Sequence, residues 1–355
     1  MPRVPDPFAA LDLLRRQQGY VSDMFGSGPR ETPWREVARW PGARLRHYRG
    51  EDGARPLLIL PAPFKRAYIW DLEPSVSVVR AALQRGFSVF VLEWLPGGGA
   101  AGGGLGLADF ALRLPERAVE RIEALTGHGR TDLAGHSLGG TLAAIFAARR
   151  PERAGRLALI DVPLAFAGDG GPLAAAVAKA PPASEVTGAF GDAVPGSAIN
   201  VFSARAVPEA FVRQPSDDAM AAATEAGRLA IHLRVRRWTL DEFAMPARLF
   251  EDIAEDLYRG DRFRAGTLRL GDETARLADL TAPVVAVVNP VGKVVPPVSL
   301  LAGLRVAACR ERRVLRYRAE PGPAIQHLGP LVGPDAHARL WPRILDWLMR
   351  DAAAG

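Results

Sequence analysis

The sequence predicts an α/β fold: a doubly wound, mostly parallel sheet with a mainly helical insertion. Three observations predict it. Short apolar runs such as Pro56-Leu57-Leu58-Ile59-Leu60-Pro61 and Phe87-Ser88-Val89-Phe90-Val91-Leu92 alternate with helical stretches. Strands buried on both faces of a parallel sheet read this way. Gly135-His136-Ser137-Leu138-Gly139 joins a strand-like run to a helix-like run of small residues. Between residues 164 and 265 the strand rhythm stops, and alanine, proline and charged residues take over.

Residues 7–25 place Phe8, Leu11, Leu13-Leu14, Tyr20-Val21 and Met24-Phe25 at helical spacing, which predicts an amphipathic helix. Residues 44–49 read as the first strand and 56–61 as the second. A helix over 75–85 stops at Gly86, and 87–94 forms the next strand. Residues 96–106 are glycine-rich. No Gly-Lys-Ser/Thr ends the stretch and its spacing fits no dinucleotide fingerprint, so it reads as a flexible connection. Next come a helix over 107–125, a strand over 131–134, a helix over 140–148 and a strand over 156–161. Beyond the insertion, 283–288 and 313–317 restore the sheet. A helix over 335–349 closes the chain. The division expected is a helical extension (1–40), a first core segment (41–163), a helical lid (164–265) and a second core segment (266–355).

Composition narrows the function. Hydrophobic residues make up 48% of 355, enough for a large core. The single cysteine, Cys309, allows no intrachain disulfide and no cysteine metal site; it reads as a small core residue. Net charge is +6, but lysine occurs only at 65, 179 and 293, and the arginines are interleaved with acids. The densest groups, Arg234 with Arg236-Arg237 and Arg310 with Arg312-Arg313, are short and accompany no nucleic-acid motif. No nucleic-acid partner is expected. The charge suits a mild attraction for anionic substrates such as acyl-CoA thioesters. No apolar run is long enough to span a bilayer, and the first six residues lack a signal-peptide core. The expectation is a cytoplasmic chain with no membrane span, no cofactor and no metal.

The G-x-S-x-G stretch has the context of a nucleophile elbow. Such a serine stands on a tight strand-to-helix turn, with glycines that let neighbouring backbone approach. A serine hydroxyl needs a base and an acid to orient that base. In α/β-hydrolases these follow in the order Ser, acid, His. Three histidines follow Ser137. His232 lies in the insertion and His337 in the closing helix. His327 follows the last strand and the loop Ala319-Glu320-Pro321-Gly322-Pro323, so it is the candidate base. The usual acid loop, Asn289-Pro290-Val291-Gly292-Lys293-Val294-Val295-Pro296, holds no carboxylate. Asp161 ends the strand after the elbow, between the elbow strand and the 283–288 strand, and is the candidate acid. An aspartate at Gly292 would occupy the usual acid loop and could take over its role. The Leu138 N–H is one candidate oxyanion donor; Ala62 or Phe64 supplies the second, because Pro61 and Pro63 have no N–H.

With these residues placed, the chain resembles the polyhydroxyalkanoate synthase group of α/β-hydrolases, especially the short catalytic subunits. The resemblance rests on Pro56-Leu57-Leu58-Ile59 with Tyr68-Ile69-Trp70-Asp71-Leu72, on Gly86-Phe87-Ser88-Val89-Phe90 with Glu93-Trp94, and on Val194-Pro195-Gly196, residues 238–260, Val294-Val295-Pro296 and His327. It implies a polymerase-like acyltransferase using hydroxyacyl-CoA, a homo-oligomer or a synthase-type partner subunit. Two positions depart from the family: Ser137 stands where synthases carry cysteine, and Gly292 where they carry aspartate. Serine is the common choice for ester hydrolysis, whereas a thiolate exchanges acyl groups readily with thioesters. The leading expectation is therefore a serine hydrolase of carboxylic esters, with hydroxyacyl esters or oligomers among its substrates. The acyltransferase is the alternative. A decayed polyester- or partner-binding protein is the third.

Overall fold

The computed structural model describes residues 7–96, 104–322 and 326–350. Most of the glycine-rich stretch (97–103) and Pro323 of the histidine loop lie outside these residues. Eight strands form one sheet: β1 (Arg35–Trp40), β2 (Ala43–Tyr48), β3 (Arg55–Leu60), β4 (Phe87–Trp94), β5 (Thr131–His136), β6 (Ala154–Ile160), β7 (Val284–Val288) and β8 (Arg312–Arg316). Their order is β1-β2-β4-β3-β5-β6-β7-β8. β1 and β2 run antiparallel and every pairing from β4 to β8 is parallel. The order turns back on itself at β3 and β4, so helices cover both faces. Every residue of β4, β5 and β7 is buried, which is why β4 and β7 read as apolar runs, while β5 also buries Thr131, Asp132 and His136.

The edge strand β1 was not expected. Its sequence, Arg-Glu-Val-Ala-Arg-Trp, has no fully buried residue and no apolar run. Charged, exposed side chains blunt a sheet edge and also hide the strand from a hydrophobicity reading. The helical extension expected over 1–40 therefore ends at Met24, where α1 (Pro7–Met24) stops, and β1 follows.

The helices α2 (Val78–Leu83), α3 (Leu114–Thr126) and α4 (Leu138–Arg149) cross between the strands. α3 and α4 bury Val119, Ile122, Leu142 and Phe146 on one face of the sheet. On the other face lie α2 and the C-terminal helices, with Trp70, Trp341 and Trp347 at most 1% exposed. The helix expected over 335–349 is interrupted. A π-helical turn (Ala336–Leu340) precedes a regular helix (Trp341–Leu348) that starts with Pro342 in its first turn. Proline fits there because the first turn needs no N–H partner.

Between β6 and β7 the chain is mainly helical: α5 (Gly171–Lys179), α6 (Ala183–Phe190), α7 (Gly196–Ala206), α8 (Gln214–Ala222), α9 (Ala226–Thr239) and α10 (Ala247–Glu251), continued by a π-helical segment (Asp252–Arg259). Two short strand pairs also lie here: Ala193–Val194 with Met245–Pro246, and Leu268–Leu270 with Glu273–Ala275. α1 packs against this insertion. The Ser197 N–H donates to Asp12 (2.9 Å), and Arg237 on α9 pairs with Asp23 (2.7 Å). Among the described residues no helix is long and apolar enough to cross a membrane. Cys309 is buried.

Candidate active site

Ser137 sits at the turn from β5 into α4 with φ +52° and ψ −135°. Four non-glycine residues among those described have φ in the left-handed range: Phe64, Ser137, Asp161 and Asp261. Three of them meet at this site. Such strain persists only where surrounding structure enforces it, and it gathers at functional sites. Glycines do the enforcing. A Cβ on Gly135 would lie 2.5 Å from the Gly140 Cα, and one on Gly139 would lie 2.8 Å from the Ala62 nitrogen. The Ser137 hydroxyl makes no capping hydrogen bond to α4, so it is not a helix cap. Gly140→Ala would drive its Cβ into Val162 and to 2.9 Å from the Gly135 carbonyl oxygen. We expect this variant to lose about 1–3 kcal/mol of stability, read as a lowered urea midpoint. An unchanged midpoint would refute the steric argument.

The loop after β3 crosses the N-terminus of α4 and is fixed from three sides. The Trp94 indole N–H donates to the Pro61 carbonyl (2.8 Å), the Trp238 indole N–H to the Arg66 carbonyl (2.8 Å) and the Phe243 N–H to the Phe64 carbonyl (3.3 Å). Ala62, Phe64, Ser137, Leu138 and His327 line one cavity of about 150 Å³. Lys65 lines it too. Its ammonium pairs with Glu242, which also accepts from Arg15 (3.1 Å) and Asn200 (3.2 Å), and burial pushes the Lys65 amine down to about 7.

Asp161 ends β6 and is brought to His327. Its Oδ2 lies 4.0 Å from His327 Nδ1 and, among the described residues, has no hydrogen-bond partner. Its Oδ1 accepts from the Asn289 N–H at 2.8 Å, at the end of β7. The 4.0 Å gap is an ion-pair distance, longer than a direct hydrogen bond; catalytic contacts are often long without ligand. Burial raises the Asp161 carboxyl to about 7. Burial, followed by the proximity of His136 and Lys65, holds His327 well below the ordinary imidazole range. Gly292 borders the same corner. A Cβ there would lie 2.7 Å from the Val295 carbonyl oxygen, so Gly292→Asp cannot take over without backbone movement, contrary to the expectation from sequence.

The sequence reading missed His136. Its Nε2–H donates to the His327 carbonyl oxygen (2.8 Å), and its ring packs on the His327 ring at 4.3 Å. Burial lowers it to about 4, so it is neutral at pH 7. The signal was its place at the carboxyl end of β5, one residue before the serine. His136, Asp161 and His327 offer ligand atoms within 4.8 Å of one another, close enough for a cation. His136 Nε2 and Asp161 Oδ1 are already engaged by backbone groups, however.

The other two histidines have structural partners. His337 bonds the Leu331 carbonyl (2.7 Å), and burial lowers it to about 4. His232 donates to the Gly322 carbonyl (3.2 Å), and Asp218 accepts from the Gly322 N–H (3.0 Å). The insertion thus grips the loop that leads to His327.

The alpha/beta hydrolase fold family matches this chain over residues 55–180. The poly(3-hydroxyalkanoate) polymerase subunit PhaC of Haloferax mediterranei is 26% identical across 98% of this chain and 72% of its own length. PhaC of Haloarcula marismortui is 25% identical across 82% of this chain and 60% of its own length. Among solved structures, a monoacylglycerol lipase from Paleococcus ferrophilus superposes at a TM-score of 0.55 and 15% identity, covering 86% of this chain and 98% of that one. A thermophilic esterase from Thermogutta terrifontis gives 0.53 and 17%, covering 89% and 98%. At these identities the solved structures share the fold. The chain is an enzyme of the α/β-hydrolase fold whose sequence resembles the poly(3-hydroxyalkanoate) polymerase subunits.

Proposed function

We propose that this chain is a serine hydrolase of carboxylic esters, working through an acyl-enzyme. The observation that carries the reading is the strained Ser137 backbone, which lifts an uncapped hydroxyl into a pocket shared with His327. His327 Nε2 takes the Ser137 proton as Oγ bonds the ester carbonyl carbon. The resulting oxyanion is held by the Leu138 N–H and by that of Ala62 or Phe64. His327 returns the proton to the leaving alcohol, and water then cleaves the acyl-serine by the same route. Asp161 orients His327 through Nδ1, and His136 holds the His327 backbone. Residues 164–265 act as a lid over core segments 41–163 and 266–355. Labelling of Ser137 by a fluorophosphonate, with turnover of p-nitrophenyl acetate, is the expected result. A protein that does neither sinks the reading.

The near full-length resemblance to PhaC favours a second reading, acyl transfer from hydroxyacyl-CoA to a hydroxyacid acceptor. Release of CoA from 3-hydroxybutyryl-CoA with formation of oligomer, rather than free acid, would select it. A decayed binding protein would have no need of the strain maintained at Ser137.

Asp161→Asn tests the acid in two opposed ways. An asparagine NH₂ would donate to Nδ1 and fix the wrong His327 tautomer, lowering kcat by up to about 10⁴. Stability moves the other way. The buried carboxyl titrates at about 7 in the fold and near ~4 unfolded. The folded state therefore binds more protons between those values, and stability falls as pH rises through them. Asparagine removes that cost. The variant should melt higher than wild type at pH 8 and equally at pH 3. A lower melting point at pH 8, or full activity, would overturn the assignment.

A further inference from the structure

A larger cavity, about 380 Å³, adjoins the Ser137 pocket inside the insertion. Phe64, Leu138, Leu173, Ile199, Ser203 and Tyr258 line both, so the two share a wall. Beyond that junction the walls are apolar: Val177, Val186, Phe190, Phe202, Phe250 and Ile253. Phe8 of α1 closes one end and meets the Phe190 ring edge-on at 5.8 Å. Ser203 and Arg259 at the wall are engaged elsewhere, while Tyr258 and the exposed Arg205 also line it. The Ser203 hydroxyl donates to the Ile199 carbonyl (2.8 Å), and the Arg259 guanidinium to the carbonyls of Val177 (3.1 Å), Ala180 and Pro181 (2.6 Å each). Against the apolar part of the wall, a hydroxylated or charged ligand would lose its water without gaining partners. An alkyl chain would not.

Resting on the reading of Ser137 as nucleophile, we propose that this cavity holds an unbranched, medium-length alkyl chain of the ester substrate while the ester carbonyl lies at Ser137. The volume is at the small end for ligand pockets, and the six residues it shares with the Ser137 cavity place its occupant beside the reacting ester. Each methylene buried should raise kcat/KM by about fourfold until the cavity is full.

Two ester series read this and locate the chain: p-nitrophenyl acetate to decanoate for the acyl side, ethyl to decyl acetate for the alcohol side. A rise along either series supports the proposal and says which side enters. A flat or falling dependence along both overturns it. Ala198→Trp and Ala254→Trp fill the cavity from two different segments, neither lining the Ser137 pocket. In whichever variant retains the wild-type circular dichroism, the long-to-short ratio of kcat/KM should fall by at least about tenfold; an unchanged ratio overturns the proposal. Calorimetry of decanoate with Ser137→Ala reads occupancy without turnover. Binding with a negative heat-capacity change, lost in Ser137→Ala/Ala198→Trp, is expected. Decanoate binding without any ester turnover would leave the cavity assignment standing and sink the hydrolase reading. Acetate turnover with neither chain preference nor decanoate binding would sink the cavity assignment alone.

Discussion

Ser137→Ala is expected to abolish ester turnover, by a factor on the order of 10⁶ in kcat, while the far-ultraviolet spectrum and melting temperature hold or improve. The size of the loss follows from what is removed: the atom that bonds the acyl carbon. The fold survives because the hydroxyl makes no capping bond to α4 and the side chain is only half-buried. Alanine keeps the Cβ and inherits the same strained φ of +52°. Steady-state kinetics with p-nitrophenyl acetate and loss of fluorophosphonate labelling check it. Near-normal turnover in a folded variant would place the chemistry elsewhere.

His327→Ala is expected to cost a comparable factor, on the order of 10⁶, because a serine without its base is an alcohol with an ordinary pKa. His337→Ala is the control. Its imidazole bonds the Leu331 carbonyl and belongs to the packing of the C-terminal helices, so kcat should change little even if stability falls. His232→Ala should fall between them. Its bond to Gly322 steadies the loop that leads to His327, so a moderate drop in kcat is expected. Full activity in His327→Ala, with a collapse in His337→Ala, would reverse the assignment.

Several features are legible in the amino-acid sequence because they are local or topological. The elbow is five consecutive residues with a strand before and a helix after. The meeting of Asp161 with the corner beside His327 follows from strand order alone, since β6 lies between β5 and β7. What escaped depends on contacts between distant segments. β1 is a charged edge that pairs on one side only, so it carries no apolar run. The role of His136 is visible only when the residue 191 positions away offers its carbonyl. Gly292 looked like a vacancy for an acid, yet the backbone folds over it and leaves no room for a Cβ. The alkyl-sized cavity is built by several separated segments, and no window of sequence contains it.

The partners of α1 carry a consequence for how the chain assembles. Asp12, Asp23 and Arg15 bond residues that lie 185, 214 and 227 positions downstream. A ribosome delivers this helix well before the segments it docks on. Leu14, Tyr20, Met24 and Phe25 stay exposed even after docking. Closing so long a loop cannot precede the sheet that positions the insertion. This helix is therefore made early and placed late. Through Arg15 and Glu242, its arrival also braces the Lys65 segment beside the serine. Handling of the newly made protein, by chaperone or by protease, would act in the interval before this helix is placed.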